Sequence, residues 1–290
     1  MDSKELLKKV RRIEIKTRGL SRNMFAGEYH SAFKGRGMMF SEVREYQPGD
    51  DVRDIDWNVT ARHNKPYVKV YEEERELTLM LLVDVSGSRL FGAEGPAKME
   101  MMAEIAATLA FSSLQNNDKV GVIFFSDRIE KFIPPAKGRK HVLLIIREII
   151  DFTPTSRGTD VGVAQRFLTN AIKKHCSAFV ISDFIDTHDY SQSMMIANRK
   201  HEVAAIQVYD GRDAKLPDVG LIKLRDMETG ADRWLDTGSK RVRAAWERAW
   251  YDRQQWLSTT TAKCGVDFVS VTTTEDYVRA LLQLFRHRTR

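Results

Sequence analysis

The spacing of hydrophobic and polar residues divides the 290-residue chain into two parts. In residues 20–76 the pattern is interrupted by glycine and aromatic residues, and residues 67–71 alternate between polar and apolar as a half-buried strand does. From Leu77 onward, short continuous apolar runs alternate with segments of helical period. Such runs are typical of strands that are buried on both faces of a sheet. The pattern therefore predicts a small β-rich module followed by a larger domain of strands and helices.

We predict two regions, residues 1–76 and residues 77–290. The first region opens with an amphipathic helix, whose apolar residues recur at helical spacing up to Ile13, and continues as a β-rich accessory module. The second region carries a β-hairpin insertion near residues 220–237. Strands that alternate with helices predict an α/β fold, with a mostly parallel sheet that has helices on both faces. The predicted strands are 79–83, 120–125, 129–133, 178–182, 203–208 and 266–271, and the predicted helices are 98–114, 141–150, 161–172, 191–199, 240–257 and 275–285.

Composition and charge exclude several classes of protein. The chain has a net charge of +6 and a pI of about 9.2, which raises nucleic acid as a partner. The basic excess is spread along the chain, however, and its two clusters, at residues 8–12 and 286–290, are short and terminal. We therefore expect no nucleic-acid partner. The two cysteines exclude a disulfide scaffold and a multi-cysteine zinc protein.

Hydrophobic length gives an expectation for the compartment. The longest apolar stretch, at residues 77–83, is far shorter than the roughly 20 residues that a membrane-spanning helix needs. The N-terminal residues also lack the apolar run and cleavage site of a signal peptide. We therefore expect a cytoplasmic protein with no membrane span.

The loops that follow the buried strands are the first candidates for a functional site, because ligands of open α/β sheets bind beyond the carboxyl ends of the strands. The polar residues at these places are Asp84, Ser86 and Ser88 after the first buried strand, Thr159 ahead of a helix, and Asp183 after the strand at 178–182. Carboxylate and hydroxyl oxygens are hard ligands that suit Mg²⁺. The same residues would also serve as capped turns that bind no metal.

This arrangement resembles the metal-ion-dependent adhesion site of von Willebrand factor A domains, and residues 77–290 resemble such a domain as a whole. The resemblance implies a mostly parallel, Rossmann-like sheet and a bound Mg²⁺ or another divalent cation. The implied ligands are Ser86, Ser88 and Thr159 in direct contact with the ion, and Asp84 and Asp183 in direct contact or through water.

The chain from about residue 30 to its end also resembles the domain-of-unknown-function 58 family. The motifs that carry this resemblance are Gly35-Arg36-Gly37, Arg44-Glu45-Tyr46-x-x-Gly49-Asp50-Asp51, Arg53-x-Ile55-Asp56-Trp57, Ala61-Arg62 and Asp226-x-Glu228-Thr229-Gly230. The resemblance implies a MoxR-type AAA+ ATPase as partner. Two departures from the usual pattern are Arg89, where a small or apolar residue often stands, and Phe184, where glycine often follows the aspartate.

The candidate ligands separate two kinds of function. Two carboxylates and three hydroxyls leave bound Mg²⁺ incompletely neutralised, so an acidic side chain of another protein would complete its coordination. We therefore expect a non-enzymatic protein-interaction module that acts with the ATPase in the assembly or activation of protein complexes. The alternative is a metal-dependent hydrolase of nucleic acid or another phosphoester, which needs a positioned base and usually a second metal. Asp160 and Asp186 are possible bases, but Asp160 is better explained as a helix N-cap.

Two other polar features have structural explanations that we prefer. Trp246, Trp250 and Trp256 share a predicted helix with several arginines, and we expect the tryptophans to pack on the sheet while the arginines face solvent. The acidic run at residues 50–56 could bind a cation, but we expect it to pair with neighbouring arginines instead. The histidines show no zinc-binding spacing.

Overall fold

The computed structural model describes Arg11, Ile13 and residues 37–63, 65–74, 77–87, 97–226 and 230–288. Of the predicted N-terminal helix, Arg11 and Ile13 are helical and Ile13 is buried, whereas its other residues lie outside the described ones. Contacts divide the chain into two compact units: residues 34–76 form one, and residues 1–33 together with 77–290 form the other.

The regular elements of the described residues have the following bounds. The strands of the described residues are β1 (Gly37–Glu45), β2 (Tyr67–Glu74), β3 (Thr78–Asp84), β4 (Lys119–Phe125), β5 (Ile129–Ala136), β6 (Ser177–Ser182), β7 (Glu202–Tyr209), β8 (Leu221–Arg225), β9 (Asp232–Asp236) and β10 (Asp267–Thr272). The helices are α1 (Trp57–His63), α2 (Ala97–Gln115), α3 (Arg139–Asp151), α4 (Val161–Ala171), α5 (Ser191–Lys200), α6 (Gly211–Ala214), α7 (Lys240–Lys263) and α8 (Tyr277–Arg288).

The larger unit is built on a six-stranded sheet with the order β10-β7-β6-β3-β4-β5. All neighbouring strands are parallel except β4 and β5, which are antiparallel at one edge. Side chains of β3 alternate between two hydrophobic cores, so that Leu79 and Leu81 enter one core while Met80 and Leu82 enter the other. The first core is covered by α2, α3 and α8, and the second by α4, α5 and the end of α7. The predicted α/β fold, a mostly parallel sheet covered on both faces, is confirmed.

The edge strand β5 is longer than its sequence predicts. We expected it to end at Ile133 because Pro134 and Pro135 follow, but the strand continues to Ala136. Proline is tolerated there because an edge strand needs only one row of hydrogen bonds. The register between β4 and β5 shifts between Val120 and Val122, which places Gly121 opposite the prolines. Its missing side chain lets the two backbones approach closely.

The smaller unit is an antiparallel pair of strands, β1 and β2, joined by a 3₁₀ turn at Val52–Asp54 and by α1. The acidic run between the strands has structural partners in this unit. Asp50 forms a bidentate pair with Arg44 at 2.7 and 2.8 Å, and Asp51 caps the 3₁₀ turn by accepting from the Arg53 N–H. Asp56 accepts from the first backbone N–H groups of α1. The predicted pairing with an arginine is therefore confirmed for Asp50, whereas Asp51 and Asp56 cap helical turns.

The predicted hairpin and tryptophan helix are also present in the larger unit. β8 and β9 pair in antiparallel register. Trp246 donates from its indole N–H to the carbonyl of Asp213 at 2.9 Å, and the Trp250 ring packs at a tilt against Tyr209, with 4.8 Å between centroids. Trp256 is 41% exposed, so the expectation that all three tryptophans pack on the sheet is wrong for this residue. Arg243 is an exception to the expected solvent-facing arginines, because it is half-buried and pairs with Asp218 at 2.9 Å. None of the helices in the described ranges has both the length and the hydrophobicity needed to cross a bilayer.

Candidate metal centre

The candidate residues lie where the strand order of the large sheet reverses. From β3 the chain proceeds through β4 to β5 on one side, whereas β6, β7 and β10 follow on the other side. Asp84 is the last residue of β3, and Asp183 follows the last residue of β6. Because β3 and β6 are parallel neighbours, both carboxylates emerge at the same edge. This is the position at which open α/β sheets bind their ligands.

Asp84 is a buried carboxylate held by its neighbours. One oxygen accepts the backbone N–H of Ser86 at 2.8 Å, and the other accepts the hydroxyl of Ser182 at 2.5 Å. The side chain of Ser86 adds a further hydrogen bond. Burial, reinforced by the negative charge of Asp183, raises the pKa of Asp84 to about 6. The ionised form is therefore costly here, which is the condition that a bound cation relieves.

Asp183 is equally buried and is oriented from three directions. One carboxylate oxygen accepts the Ile185 N–H at 3.1 Å, and the other lies 3.2 Å from the ammonium group of Lys98. Its backbone carbonyl accepts the side-chain amide of Gln207 at 3.0 Å. These bonds tie the loop after β6 to both α2 and the adjacent strand β7.

Phe184 shows why its position often holds glycine in the family that the sequence resembles. The residue has a φ of 54° and is 4% exposed. Left-handed backbone costs about 1–2 kcal/mol for a residue with a side chain. Its ring packs with that of Tyr190, at 6.2 Å between centroids, and its N–H donates to Ser182 at 2.9 Å. Buried aromatic packing offsets the backbone cost.

Thr159 belongs to a loop that runs beside the Asp84 loop. The N–H of Gly87 donates to the carbonyl of Arg157 at 2.9 Å, which joins the two loops two residues before Thr159. Thr159 is buried. The next residue, Asp160, caps α4 by accepting the Val163 N–H at 3.1 Å, so its predicted role as an N-cap is confirmed. The structure thus brings Asp84, Ser86 and Asp183 together and places the Thr159 loop beside the Asp84 loop. Ser88 lies outside the described residues.

Two charged residues of the site were missed by sequence reasoning. Lys98, at the start of α2, has a fully buried side chain and lies 2.7 Å from Asp213 as well as 3.2 Å from Asp183. Asp213 is held by a capping box with Asp210 at the N-terminus of α6. Two features of the sequence could have identified them. Lys98 is a single lysine among the apolar residues of a buried helix, and Asp213 ends an Asp-x-x-Asp pattern directly after a buried strand.

A second group of polar side chains lies next to Thr159. Ligand atoms of Asp160, Asp186 and His188 all fall within 4.8 Å of one another. His188 Nδ1 lies 2.8 Å from an Asp186 oxygen and 3.2 Å from the Thr159 carbonyl, and since both atoms accept, Nδ1 carries the hydrogen. Its bond to Asp186 raises the pKa of His188. Asp186 also accepts the Val161 N–H at 2.8 Å, so the group has a structural use in fixing the start of α4.

The donor atoms of the main site are compatible with a hard divalent cation. Asp84, Asp183, Ser86 and Thr159 offer only oxygen atoms, as Mg²⁺ prefers. In the described part of the site, three buried carboxylates face one buried ammonium group, Lys98. A buried negative excess of this kind is stabilised by a cation. The residues therefore fit the ion that the sequence implies.

Comparisons with known proteins assign the chain to a family. The model of the family described as "Protein of unknown function DUF58" matches residues 42–256, so the chain belongs to this family, as its motifs predicted. A relative from Mycobacterium tuberculosis, the uncharacterized protein Rv1480, is 30% identical over 292 residues and covers 100% of this chain and 92% of its own.

Two solved structures are similar to part of the chain. The hypothetical protein BatB from Bacteroides thetaiotaomicron is 17% identical, covers 73% of this chain and 98% of its own, and gives a TM-score of 0.49. The SpRpn10 VWA domain is 10% identical, covers 73% and 95%, and gives a TM-score of 0.37. The fold class itself follows from the strand order and the two cores described above.

Proposed function

We propose that this protein is a non-enzymatic interaction module that binds other proteins through a divalent cation, Mg²⁺ in the first instance. The ligands that we propose are Asp84, Ser86, Ser88, Thr159 and Asp183. The observation that carries the proposal is the buried pair of carboxylates, Asp84 and Asp183, at the edge where the strand order reverses. Burying two neighbouring carboxylates is costly unless a cation neutralises them.

The charge distribution favours interaction with an acidic side chain of a partner. The ammonium group of Lys98 pairs with one oxygen of Asp183, so part of the negative charge of that carboxylate is already neutralised. An ion bound at this site would retain positive charge and an incomplete ligand shell. A glutamate or aspartate from another protein would supply the missing ligand, and the ion would bridge the two chains.

The partner that we propose is a MoxR-type AAA+ ATPase in the cytoplasm. The proposed partnership rests on the resemblance of the sequence motifs to the family. We propose that client proteins also bind, by offering an acidic side chain to the ion. Together the two proteins would act in the assembly or activation of larger complexes. Affinity capture of the full chain in Mg²⁺ and in EDTA tests this, because a metal-bridged partner is released by the chelator.

The test of the ion site is isothermal titration of Mg²⁺ and Mn²⁺ into the wild-type protein and Asp84→Ala. We expect the variant to lose binding of both ions. Asp232→Ala is the matched control, since it removes an exposed carboxylate of the hairpin, paired with Lys223 at 2.7 Å. Equal binding by wild type and Asp84→Ala would reject the site.

A specific observation keeps the hydrolase as a second candidate. The group of Asp160, Asp186 and His188 lies beside Thr159 and offers carboxylate and imidazole ligands for a second metal. Two metals about 4 Å apart are the usual arrangement for phosphoester hydrolysis. A stoichiometry of two Mn²⁺ ions per chain, with turnover of a generic phosphodiester, would favour the hydrolase. One ion and no turnover would favour the interaction module.

A further inference from the structure

Lys98 is a buried cation in direct contact with the site. Its side chain has no solvent exposure, and its ammonium nitrogen lies 3.2 Å from Asp183 and 2.7 Å from Asp213. Lysine is almost never fully buried unless its charge is paired. Asp183 and Asp213 supply this pairing, because both carboxylates lie within salt-bridge distance of the ammonium nitrogen. The site therefore contains a fixed positive charge at neutral pH.

The surroundings of Lys98 fix this charge in place. Asp213 accepts the Asp210 N–H at 2.8 Å within the capping box of α6. The carbonyl of Asp213 is held in turn by the indole N–H of Trp246. The ammonium group thus joins the start of α2 to the loops after β6 and β7. Asp213 is held beside Lys98 through both its side chain and its backbone.

We propose that Lys98 is an internal counter-cation of the Asp84–Asp183 site, which weakens the binding of a divalent ion and lets the site fold without one. The inference rests on the proposed function, because it concerns the same ion site. A unit positive charge next to a site repels a divalent ion twice as strongly as a monovalent one. Lys98 therefore lowers the affinity of the site without being one of its ligands.

The affinity of the site for a divalent ion should follow the net charge around it. Lys98→Met removes one positive charge and should tighten Mg²⁺ and Mn²⁺ binding by at least about tenfold. Asp213→Asn removes one negative charge and should weaken binding by a similar factor. The double variant has the same net charge as the wild type and should return towards wild-type affinity. Lys131→Met is the matched control, because it removes an exposed lysine paired with Glu148 and should change nothing.

Thermal unfolding supplies a second measurement that does not depend on the calorimetric signal. In EDTA, Lys98→Met leaves Asp183 and Asp213 buried without their counter-charge, so we expect a lower Tm than for the wild type. Mg²⁺ should then raise the Tm of Lys98→Met more than that of the wild type. If Lys98→Met fails to fold in EDTA, recovery of its folded state by Mn²⁺ is the supporting result, and no recovery contradicts the inference.

The outcomes separate this inference from the proposed function. If Lys98→Met binds Mg²⁺ no more tightly than the wild type, the counter-cation role is contradicted. A loss of affinity in both Lys98→Met and Asp213→Asn also contradicts it, because that is the result that a purely structural role predicts. Wild-type protein that binds no ion, together with Lys98→Met that does, supports the counter-cation role and rejects a metal-dependent function of the natural protein. The comparison with Asp84→Ala tests the proposed ligands independently.

Discussion

The hydroxyl group of Ser182 donates a 2.5 Å hydrogen bond to Asp84, across the two neighbouring strands at which the strand order reverses. The hydroxyl oxygen of Ser182 also accepts the N–H of Phe184 at 2.9 Å. That bond leaves the Ser182 hydrogen free to point at the carboxylate. The last residue of β6 thus sets the position of a carboxylate that belongs to β3, and the two sides of the candidate site form as one unit.

Ser182→Ala should destabilise the protein measurably. The variant removes a hydrogen bond to a buried, ionised carboxylate, and bonds of this kind contribute about 1.5–3 kcal/mol. Urea unfolding at pH 7 measures the loss. Ser177→Ala, at the other end of the same strand, is the control, because its hydroxyl makes only a 3.4 Å contact to Glu202. Equal losses in the two variants would show that Ser182 does not support Asp84.

At Phe184 we expect the glycine variant to be more stable than the alanine variant, which is the reverse of the usual order. Phe184→Ala should lose several kcal/mol, because removing a buried phenyl ring costs about 3–5 kcal/mol. Phe184→Gly loses the same ring but relieves the left-handed backbone at a φ of 54°, so it should be more stable than Phe184→Ala by about 1 kcal/mol. Urea unfolding of both variants measures the difference.

Phe132 in strand β5 provides the control for this comparison. Its backbone is that of a strand, where glycine is less stable than alanine by about 0.5–1 kcal/mol. The order of the glycine and alanine variants should therefore be opposite at Phe132 and at Phe184. The same order at both positions would mean that backbone strain at Phe184 is negligible.

Much of the fold could be predicted because burial leaves a direct trace in the sequence. Residues 79–83 are continuously apolar since alternate side chains enter two different cores. The positions of Asp84 and Asp183 follow from the same rule, because each is the first acidic residue at the end of such a run. A strand buried on both faces thus predicts both the sheet and the edge at which its ligands bind.

The charge of the site could not be predicted in the same way. Lys98 and Asp213 are separated by more than a hundred residues, and only the packing of α2 against β7 and α6 brings them to 2.7 Å. Each residue taken alone carries a local signal, a lysine in an apolar helix or an Asp-x-x-Asp pattern after a buried strand, but neither signal identifies the partner. Pairing between distant charges has no local periodicity, so a single sequence gives no signal for it.

Gly121 lets β5 continue through two prolines, because it leaves room for the backbone of β5 beside β4. A side chain at this position would place its Cβ atom 2.9 Å from the carbonyl oxygen of Ile133 and 2.9 Å from the nitrogen of Pro135. Both are backbone atoms that cannot move aside cheaply. Gly121→Ala should therefore cost at least about 1–3 kcal/mol. Gly211→Ala is the control, because nothing lies within 4 Å of its added Cβ, and similar stability of the two variants in urea would contradict the close approach.

A buried thiol–imidazole pair lies at the opposite end of β6 from the candidate site. Cys176 Sγ is 3.3 Å from His201 Nδ1, and both residues are buried. Burial, with the positive charge of Lys200 nearby, lowers the pKa of His201 to about 4, and burial raises the pKa of Cys176 to about 12. Both groups are therefore neutral at pH 7. A neutral thiol is a poor nucleophile, so the pair contributes to packing rather than to chemistry.

The neutral imidazole of His201 makes stability depend on pH in a direction that can be worked out. Between pH 6.5 and about 4 the unfolded chain binds a proton at this residue and the folded protein does not, so stability falls as pH falls through this range. At about 1.4 kcal/mol per pKa unit, the loss is on the order of 3 kcal/mol. His201→Phe should remove that part of the acid sensitivity, measured as the free energy of unfolding in urea at pH 7, 5.5 and 4. His63→Gln, at an exposed position of the smaller unit, should retain the wild-type dependence. Parallel curves for wild type and His201→Phe would assign the acid sensitivity to other residues.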